Sequence, residues 1–150
     1  MNPELHLLTL GVPDLEQARR FYLDGLGWTA TLDVPGEITF IQVGHGMLLG
    51  LFAAADLEAD IGPGAGRRVP GGGGSGVTLA HNVATENEVI AALKVAMAAG
   101  ATVLKPAQRA AFGGFHGYFA DPAGFVWEVA TNPGWSVDAN GRVKIEPVTK

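Results

Sequence analysis

The segment Tyr118-Phe-Ala-Asp-Pro-Ala-Gly-Phe-Val-Trp-Glu-Val129 predicts two β-strands joined by a tight turn. The turn falls on Asp121-Pro-Ala-Gly124, because proline fixes its backbone φ and glycine tolerates a positive φ. Aromatic and β-branched residues on either side favour strands over residues 115–120 and 125–130. Glu128 is therefore the one charged side chain of an otherwise apolar strand.

The second half of the chain follows the order strand, helix and three strands. A strand is expected from Val77 to Val83, and a helix is expected to begin at Thr85-Glu-Asn-Glu88, which has the spacing of a capping box. Gly100 is expected to end this helix, and a further strand is expected over residues 102–106. Apolar side chains at helical spacing are expected to form its buried face: Val89, Ala92, Leu93, Ala96 and Met97.

The first half repeats this order. Asp14 is the expected N-cap of its helix, and strands are expected over residues 6–12, 28–34, 38–43 and 47–52. Val12 and Val83 align at the ends of the two leading strands, so the sequence contains an internal repeat of about 70 residues. The prediction is a single α+β domain built from two βαβββ modules, at about residues 5–53 and 77–131.

Two segments lie outside these modules. The glycine-rich stretch from Ile61 to Gly76 is expected to be a flexible connection, since it offers few side chains to a core. Asn140-Gly141 lies among alternating apolar residues and predicts a terminal hairpin over residues 135–147.

The composition excludes several classes of site and partner. The 150 residues include no cysteine, which removes disulfides, zinc–thiolate sites and thiol nucleophiles. The formal net charge of −5 disfavours nucleic acids and anionic membranes as partners. No apolar run reaches the roughly 20 residues that span a bilayer, so we expect a cytoplasmic protein.

Several segments of the chain together resemble proteins of the vicinal-oxygen-chelate superfamily, which includes glyoxalases, bleomycin-resistance proteins and dioxygenases. The resemblance implies two βαβββ modules whose strands curl around a cavity, usually in a homodimer. It leaves the function open, because its members include metal-dependent lyases and isomerases, dioxygenases, fosfomycin-inactivating transferases and metal-free antibiotic-binding proteins. The segments that carry it are Thr9-Leu-Gly-Val-Pro-Asp-Leu15, Arg20-Phe-Tyr22, Gly25-Leu-Gly-Trp28, Ala98-Ala-Gly-Ala-Thr-Val103 and residues 118–129.

The resemblance also implies four metal-ligand positions, of which this chain keeps one. Leu7, Gly50 and Thr78 stand at three of them, and only Glu128 is a metal-binding residue type. His6 is one residue away from the first position, so it points to the opposite face unless a bulge turns it inward. One carboxylate is too few donors for a divalent cation, so we predict no bound metal or other cofactor.

The candidate binding residues lie in the second module. Glu128 shares a strand face with Val126 and Ala130, and it is interpreted as a general base, as a counter-ion for a cationic ligand, or as a remnant hydrogen-bonded to tyrosine or backbone. His81 is expected to face the helix as a structural histidine. The other expected ligand-binding residues are Thr78, Asn82, Phe112, Phe115, His116 and Tyr118.

Three hypotheses follow. The leading one is a metal-free protein that binds a small, partly apolar organic molecule, such as an antibiotic or another natural product, in a strand-lined cavity. The alternative is a lyase, isomerase or dioxygenase-type enzyme that uses Glu128 as a base or as a metal ligand. A third is a protein whose strand edges serve only for dimerisation.

Overall fold

A computed structural model of the protein describes residues 3–62, 76–111 and 113–146. It has two open four-stranded mixed sheets and one two-stranded sheet, which confirms the expected α+β fold. The chain divides into two compact units, Met1–Gly76 with Asp121–Gly124, and Val77–Ala120 with Phe125–Lys150. Within the described ranges, no helix is both long and apolar enough to cross a membrane.

The first unit contains a sheet with the strand order β1-β4-β3-β2. β1 runs parallel to β4, and the other neighbours are antiparallel. Asp14 caps α1 as expected, because its carboxylate accepts a hydrogen bond from the Gln17 amide at 2.8 Å. The elements are β1 Leu7–Val12, α1 Leu15–Arg19 with a π-helical continuation Arg20–Gly25, β2 Ala30–Val34, β3 Ile38–Gly44, β4 Met47–Ala53 and α2 Ala54–Ile61.

The second unit has the matching order β5-β8-β7-β6, again with the leading strand parallel to the last. Thr85 and Glu88 form the expected capping box at the start of α3. β6 continues past its expected end at residue 106. Pro106 is tolerated because β6 is an edge strand and its register with β7 shifts around this residue. The elements are β5 Thr78–Asn82, α3 Glu86–Ala98, β6 Thr102–Arg109, β7 Phe115–Ala120 and β8 Val126–Thr131.

The packing of α3 determines which face of the second sheet is left for a site. Gly117 in β7 lies against α3 so closely that an added Cβ would be 2.6 Å from Leu93 Cδ1. Phe119 and Trp127 stack on this same face, with ring centroids 6.3 Å apart. Since side chains alternate along a strand, the residues between these positions project from the opposite face.

One residue of the expected helix face is placed differently. Val89, Leu93 and Ala96 are buried as expected, but Met97 is 57% exposed. Met97 follows Ala96 directly, so it lies about 100° further round the helix and leaves the face that packs on the sheet.

A separate hairpin follows the second sheet. β9 Trp135–Val137 and β10 Val143–Ile145 pair in antiparallel register. The turn between them uses Gly141 at φ 77°, a conformation that glycine accepts without strain.

Candidate functional site

Four polar side chains meet on the face of the second sheet that α3 leaves uncovered. β6 supplies Lys105, β7 supplies His116 and Tyr118, and β8 supplies Glu128. Tyr118 lies opposite both Lys105 and Glu128 in the strand pairing, which brings the side chains into reach of one another. These four residues are called the polar network below.

Two donors hold a single oxygen of the Glu128 carboxylate. The Tyr118 hydroxyl donates to Oε1 at 2.8 Å, and His116 Nδ1 lies 2.6 Å from the same atom. Burial, followed by the hydrogen bond to Glu128 and its negative charge, raises the pKa of the Tyr118 phenol. Tyr118 therefore keeps its proton at neutral pH and acts as a donor.

The polar network defines the tautomer of His116. Lys105 Nζ lies 3.0 Å from His116 Nε2, and an ammonium group can only donate. Nε2 is then the acceptor, and Nδ1 carries the proton that is donated to Glu128. In this tautomer His116 connects the Lys105 ammonium to the Glu128 carboxylate. The Lys105 ammonium also lies 5.7 Å from the centre of the Tyr118 ring, within the range of a cation–π interaction.

The two oxygens of Glu128 differ in their partners among the described residues. Oε2 accepts no hydrogen bond from any residue in the described part of the chain, although Oε1 accepts two. The side chain of Glu128 is 23% exposed, whereas that of His116 is 9% exposed. The network thus presents a firmly oriented carboxylate with one oxygen available to a ligand.

The expected neighbours of Glu128 share its face of the sheet. Val126 and Ala130 alternate with the α3-facing residues of β8, as predicted. In the parallel pairing with β5, Thr78 lies beside Val126 and Asn82 beside Ala130. Thr78 and Asn82 are exposed and provide accessible polar groups, whereas Ala130 is buried.

Two other sequence candidates, Phe115 and His81, are not brought into this group. Phe115 precedes His116 directly and so lies on the α3 side of the sheet, which corrects its expected place among the ligand-binding residues. His81 is in register with Val129 on the α3 side, as expected, but it is exposed and is not a buried structural histidine. Phe112 lies outside the described residues.

Lys105 is the network residue that sequence reasoning missed. Its strand was expected to stop at residue 106, whereas β6 continues to Arg109. The register between β6 and β7 shifts on both sides of Lys105, so its pairing with Tyr118 does not follow from simple alternation. A lysine within an otherwise apolar strand was the available signal, because a charged side chain at such a position needs a partner.

The position of the first unit that matches Glu128 is Gly50. Gly50 lies opposite Phe40 and beside Thr9, just as Glu128 lies opposite Tyr118 and beside Ala80. A Cβ on Gly50 would be 3.2 Å from Phe40 Cε1 and 3.3 Å from Leu7 Cδ1. Apolar side chains therefore fill the space that a carboxylate occupies in the second unit.

The donor set does not fit a divalent metal ion. Leu7, Gly50 and Thr78 offer no strong ligand, and no group of three histidine or acidic residues with metal-binding geometry occurs in residues 3–62, 76–111 and 113–146. His6 lies before β1, with its side chain 73% exposed and 3.8 Å from Glu4, and the pairing of β1 with β4 has no bulge. In the described residues His116 is the one metal-binding residue type in contact with Glu128, and two donors are fewer than such sites generally use.

The comparisons with known proteins agree with the fold. Residues 4–129 match the family described as the Glyoxalase/Bleomycin resistance protein/Dioxygenase superfamily. The sequence has no significant match among curated proteins. A glyoxalase-related enzyme from Fulvimarina pelagi is 37% identical, with a TM-score of 0.82 over 96% of this chain and 99% of that one.

Two further solved structures are similar at lower identity. Lactoylglutathione lyase from Agrobacterium tumefaciens is 25% identical, with a TM-score of 0.63 over 87% of this chain and 95% of that one. A glyoxalase/bleomycin resistance protein/dioxygenase from Nocardioides is 25% identical, with a TM-score of 0.68 over 87% of this chain and 84% of that one.

Proposed function

The chain belongs to the glyoxalase/bleomycin resistance protein/dioxygenase superfamily, and we propose that it binds a small organic molecule at its polar network without a metal ion. The observation that carries this proposal is the Glu128 carboxylate, whose Oε1 is held by His116 and Tyr118 while Oε2 is open. A carboxylate fixed in this way loses little freedom when a ligand binds, which favours affinity.

The chemistry of the site favours a ligand with a hydrogen-bond donor on an apolar body. Oε2 can only accept, so its best partner is an amine or another N–H group, and a charged donor gives the stronger bond. Val126, which is half-buried, provides apolar contact on one side of Glu128, and Thr78 and Asn82 add polar contacts at the edge. A basic natural product or antibiotic has these features, and its sequestration in the cytoplasm is the role that we propose.

The proposal is tested by comparing amines with uncharged compounds of the same shape. Calorimetric titration of a panel of apolar amines and matched neutral alcohols should find binding that prefers the amine. Glu128→Gln should weaken the amine at least fivefold and leave the alcohol nearly unchanged, since an amide keeps the shape but not the charge. Glu58→Gln, at an exposed position of α2, is the matched control and should bind like the wild type. Equal affinity of Glu128→Gln for the amine would reject the assignment.

An enzyme is the second candidate, because the polar network combines a carboxylate with a lysine ammonium. Oε2 of Glu128 can accept a proton from a C–H bond, while the Lys105 ammonium, which has N–H groups besides the one directed at His116, can stabilise the negative charge that develops on a nearby carbonyl oxygen. The relative from Fulvimarina pelagi is described as a glyoxalase-related enzyme. Turnover that disappears in Glu128→Gln while the compound still binds would favour this candidate over a binding protein.

A further inference from the structure

Lys105 carries a positive charge that no carboxylate neutralises by direct contact. Its ammonium group donates to His116 Nε2 at 3.0 Å, and this acceptor is a nitrogen of a neutral imidazole. Among residues 3–62, 76–111 and 113–146, no acidic side chain lies within ion-pair distance of Lys105. An ammonium group has three N–H donors, so Lys105 can bind a further acceptor without giving up His116.

Lys105 and Glu128 form the two ends of one row across the second sheet. Tyr118 of β7 lies opposite Lys105 of β6 on one side and opposite Glu128 of β8 on the other. Neighbouring strands are about 4.8 Å apart, so the backbones of the two charged residues are separated by roughly 10 Å. The three residues of this row are half-buried, whereas His116, which connects the two charged groups, is buried. The row therefore presents a cation and an anion with a tyrosine between them.

The charges of this row favour a ligand that carries both signs. A ligand with an amine alone brings its positive charge to Glu128, but the Lys105 ammonium on the same face repels that charge. A carboxylate at the other end of the ligand offsets this repulsion and accepts hydrogen bonds from Lys105, which are stronger because both partners are charged. The two ends of the row then select for opposite groups on one molecule.

We propose that the ligand of the polar network is an ω-amino carboxylate, whose ammonium group binds Glu128 and whose carboxylate binds Lys105. This inference rests on the proposed function, because it adds a second contact to the same ligand. The separation of Lys105 and Glu128 favours several carbon atoms between the two charged groups, and this chain lies over Tyr118. A carboxylate fits better than a phosphate dianion, since one lysine balances one negative charge and Glu128 repels a second.

Calorimetric titration of the wild-type protein with three probes of equal chain length tests the proposal. The probes are hexylamine, ε-aminocaproate and the methyl ester of ε-aminocaproate, which keeps the amine but has no negative charge. We expect ε-aminocaproate to bind at least fivefold more tightly than the other two, because it alone can pair with Lys105. Equal affinities for the three probes would overturn the proposal and leave the proposed amine site intact.

Lys105→Met distinguishes charge pairing from a structural role of the lysine. This variant should bind ε-aminocaproate at least fivefold more weakly than the wild type, and it should bind hexylamine at least as tightly, because the repulsion is removed. Lys94→Met, at an exposed position of α3, makes the same change of charge and should bind both probes like the wild type. Circular dichroism establishes that each variant is folded. Equal weakening of both probes by Lys105→Met would overturn the proposal.

Glu128→Gln separates failure of this proposal from failure of the proposed function. Hexylamine and ε-aminocaproate both carry the amine, so this variant should weaken both at least fivefold. Unchanged binding of both probes in Glu128→Gln would reject the proposed function and the zwitterionic ligand together. Weakening of both in Glu128→Gln, with an unchanged preference for ε-aminocaproate in Lys105→Met, would reject only the contact between Lys105 and the carboxylate.

Discussion

Tyr118 and Glu128 lie directly opposite each other on β7 and β8, and the tyrosine hydroxyl donates to Glu128 Oε1 at 2.8 Å. This bond and the one from His116 both go to Oε1, and among the described residues Oε2 has no hydrogen-bond partner. The strand pairing therefore sets the direction in which Glu128 meets a ligand.

The effect of Glu128 on Tyr118 can be measured by titration. In Glu128→Gln the negative charge that helps to raise the Tyr118 pKa is lost, so this pKa should fall below its wild-type value while burial still keeps it raised. Ultraviolet absorbance titration follows the two tyrosines, and Tyr118→Phe identifies which transition belongs to Tyr118. An unchanged titration in Glu128→Gln would show that the two groups are not coupled.

The tautomer of His116 is a second testable feature. Because Lys105 donates to Nε2, long-range proton–nitrogen NMR spectra at neutral pH should show the proton on Nδ1 and none on Nε2. Lys105→Met removes the donor to Nε2 but leaves the Glu128 carboxylate, which can only accept, so Nδ1 should stay protonated in this variant as well. A wild-type histidine protonated at Nε2 would be inconsistent with the network.

Gly117 links the stability of the second unit to the geometry of the site. A Cβ at this position would be 2.6 Å from Leu93 Cδ1 and 2.9 Å from the carbonyl oxygen of Lys105, and the second of these atoms is backbone. Gly117→Ala should lower the free energy of unfolding by about 1–3 kcal/mol, as overpacking does. It should also weaken ligand binding through displacement of β6.

Urea denaturation of Gly117→Ala is compared with that of Gly44→Ala. A Cβ at Gly44 would make only an ordinary contact, 3.8 Å from Met47 Cβ. The expectation for Gly117 is rejected if the two variants lose the same stability.

The first unit contains an ion pair that should make stability depend on pH. Hydrogen bonds from Arg19, together with one from Thr39, lower the pKa of Asp33 below its usual value of about 3.8. A carboxyl group with a lowered pKa in the folded state stabilises that state above its unfolded pKa, and this contribution is lost as the pH falls through the folded value.

Asp33→Asn should consequently be less stable than the wild type at pH 7, and the difference should shrink below about pH 4. Urea denaturation at several pH values measures it. Asp60→Asn, at an exposed position of α2, is the control and should show no such convergence. A difference between Asp33→Asn and the wild type that is constant with pH would contradict this role of the ion pair.

The sequence predicted the features that depend on alternation along one strand or one helix. The face of Glu128, the cap of α1 at Asp14 and the capping box at Thr85 all follow from residues within a few positions of each other. The same alternation predicts that Phe115 and His116 lie on opposite faces of β7, because neighbouring side chains on a strand point to opposite sides. Both residues were nevertheless expected to bind the ligand.

The contacts inside the polar network could not be predicted in the same way. They depend on the register between β6, β7 and β8, and the bulges around Pro106 alter the register that pairs Lys105 with Tyr118. Helix α2 was missed as well, because its short segment carries no cap side chain at Ala53 to mark its start.

The central claim is that the site works through its own side chains, without a metal ion. The most direct measurement is elemental mass spectrometry of the purified protein, before and after incubation with manganese, nickel, zinc or iron(II) and desalting. We expect no stoichiometric metal in the wild type, and the same result for Glu128→Gln. Retention of about one metal ion per chain by the wild type, lost in Glu128→Gln, would contradict the account and identify Glu128 as a metal ligand.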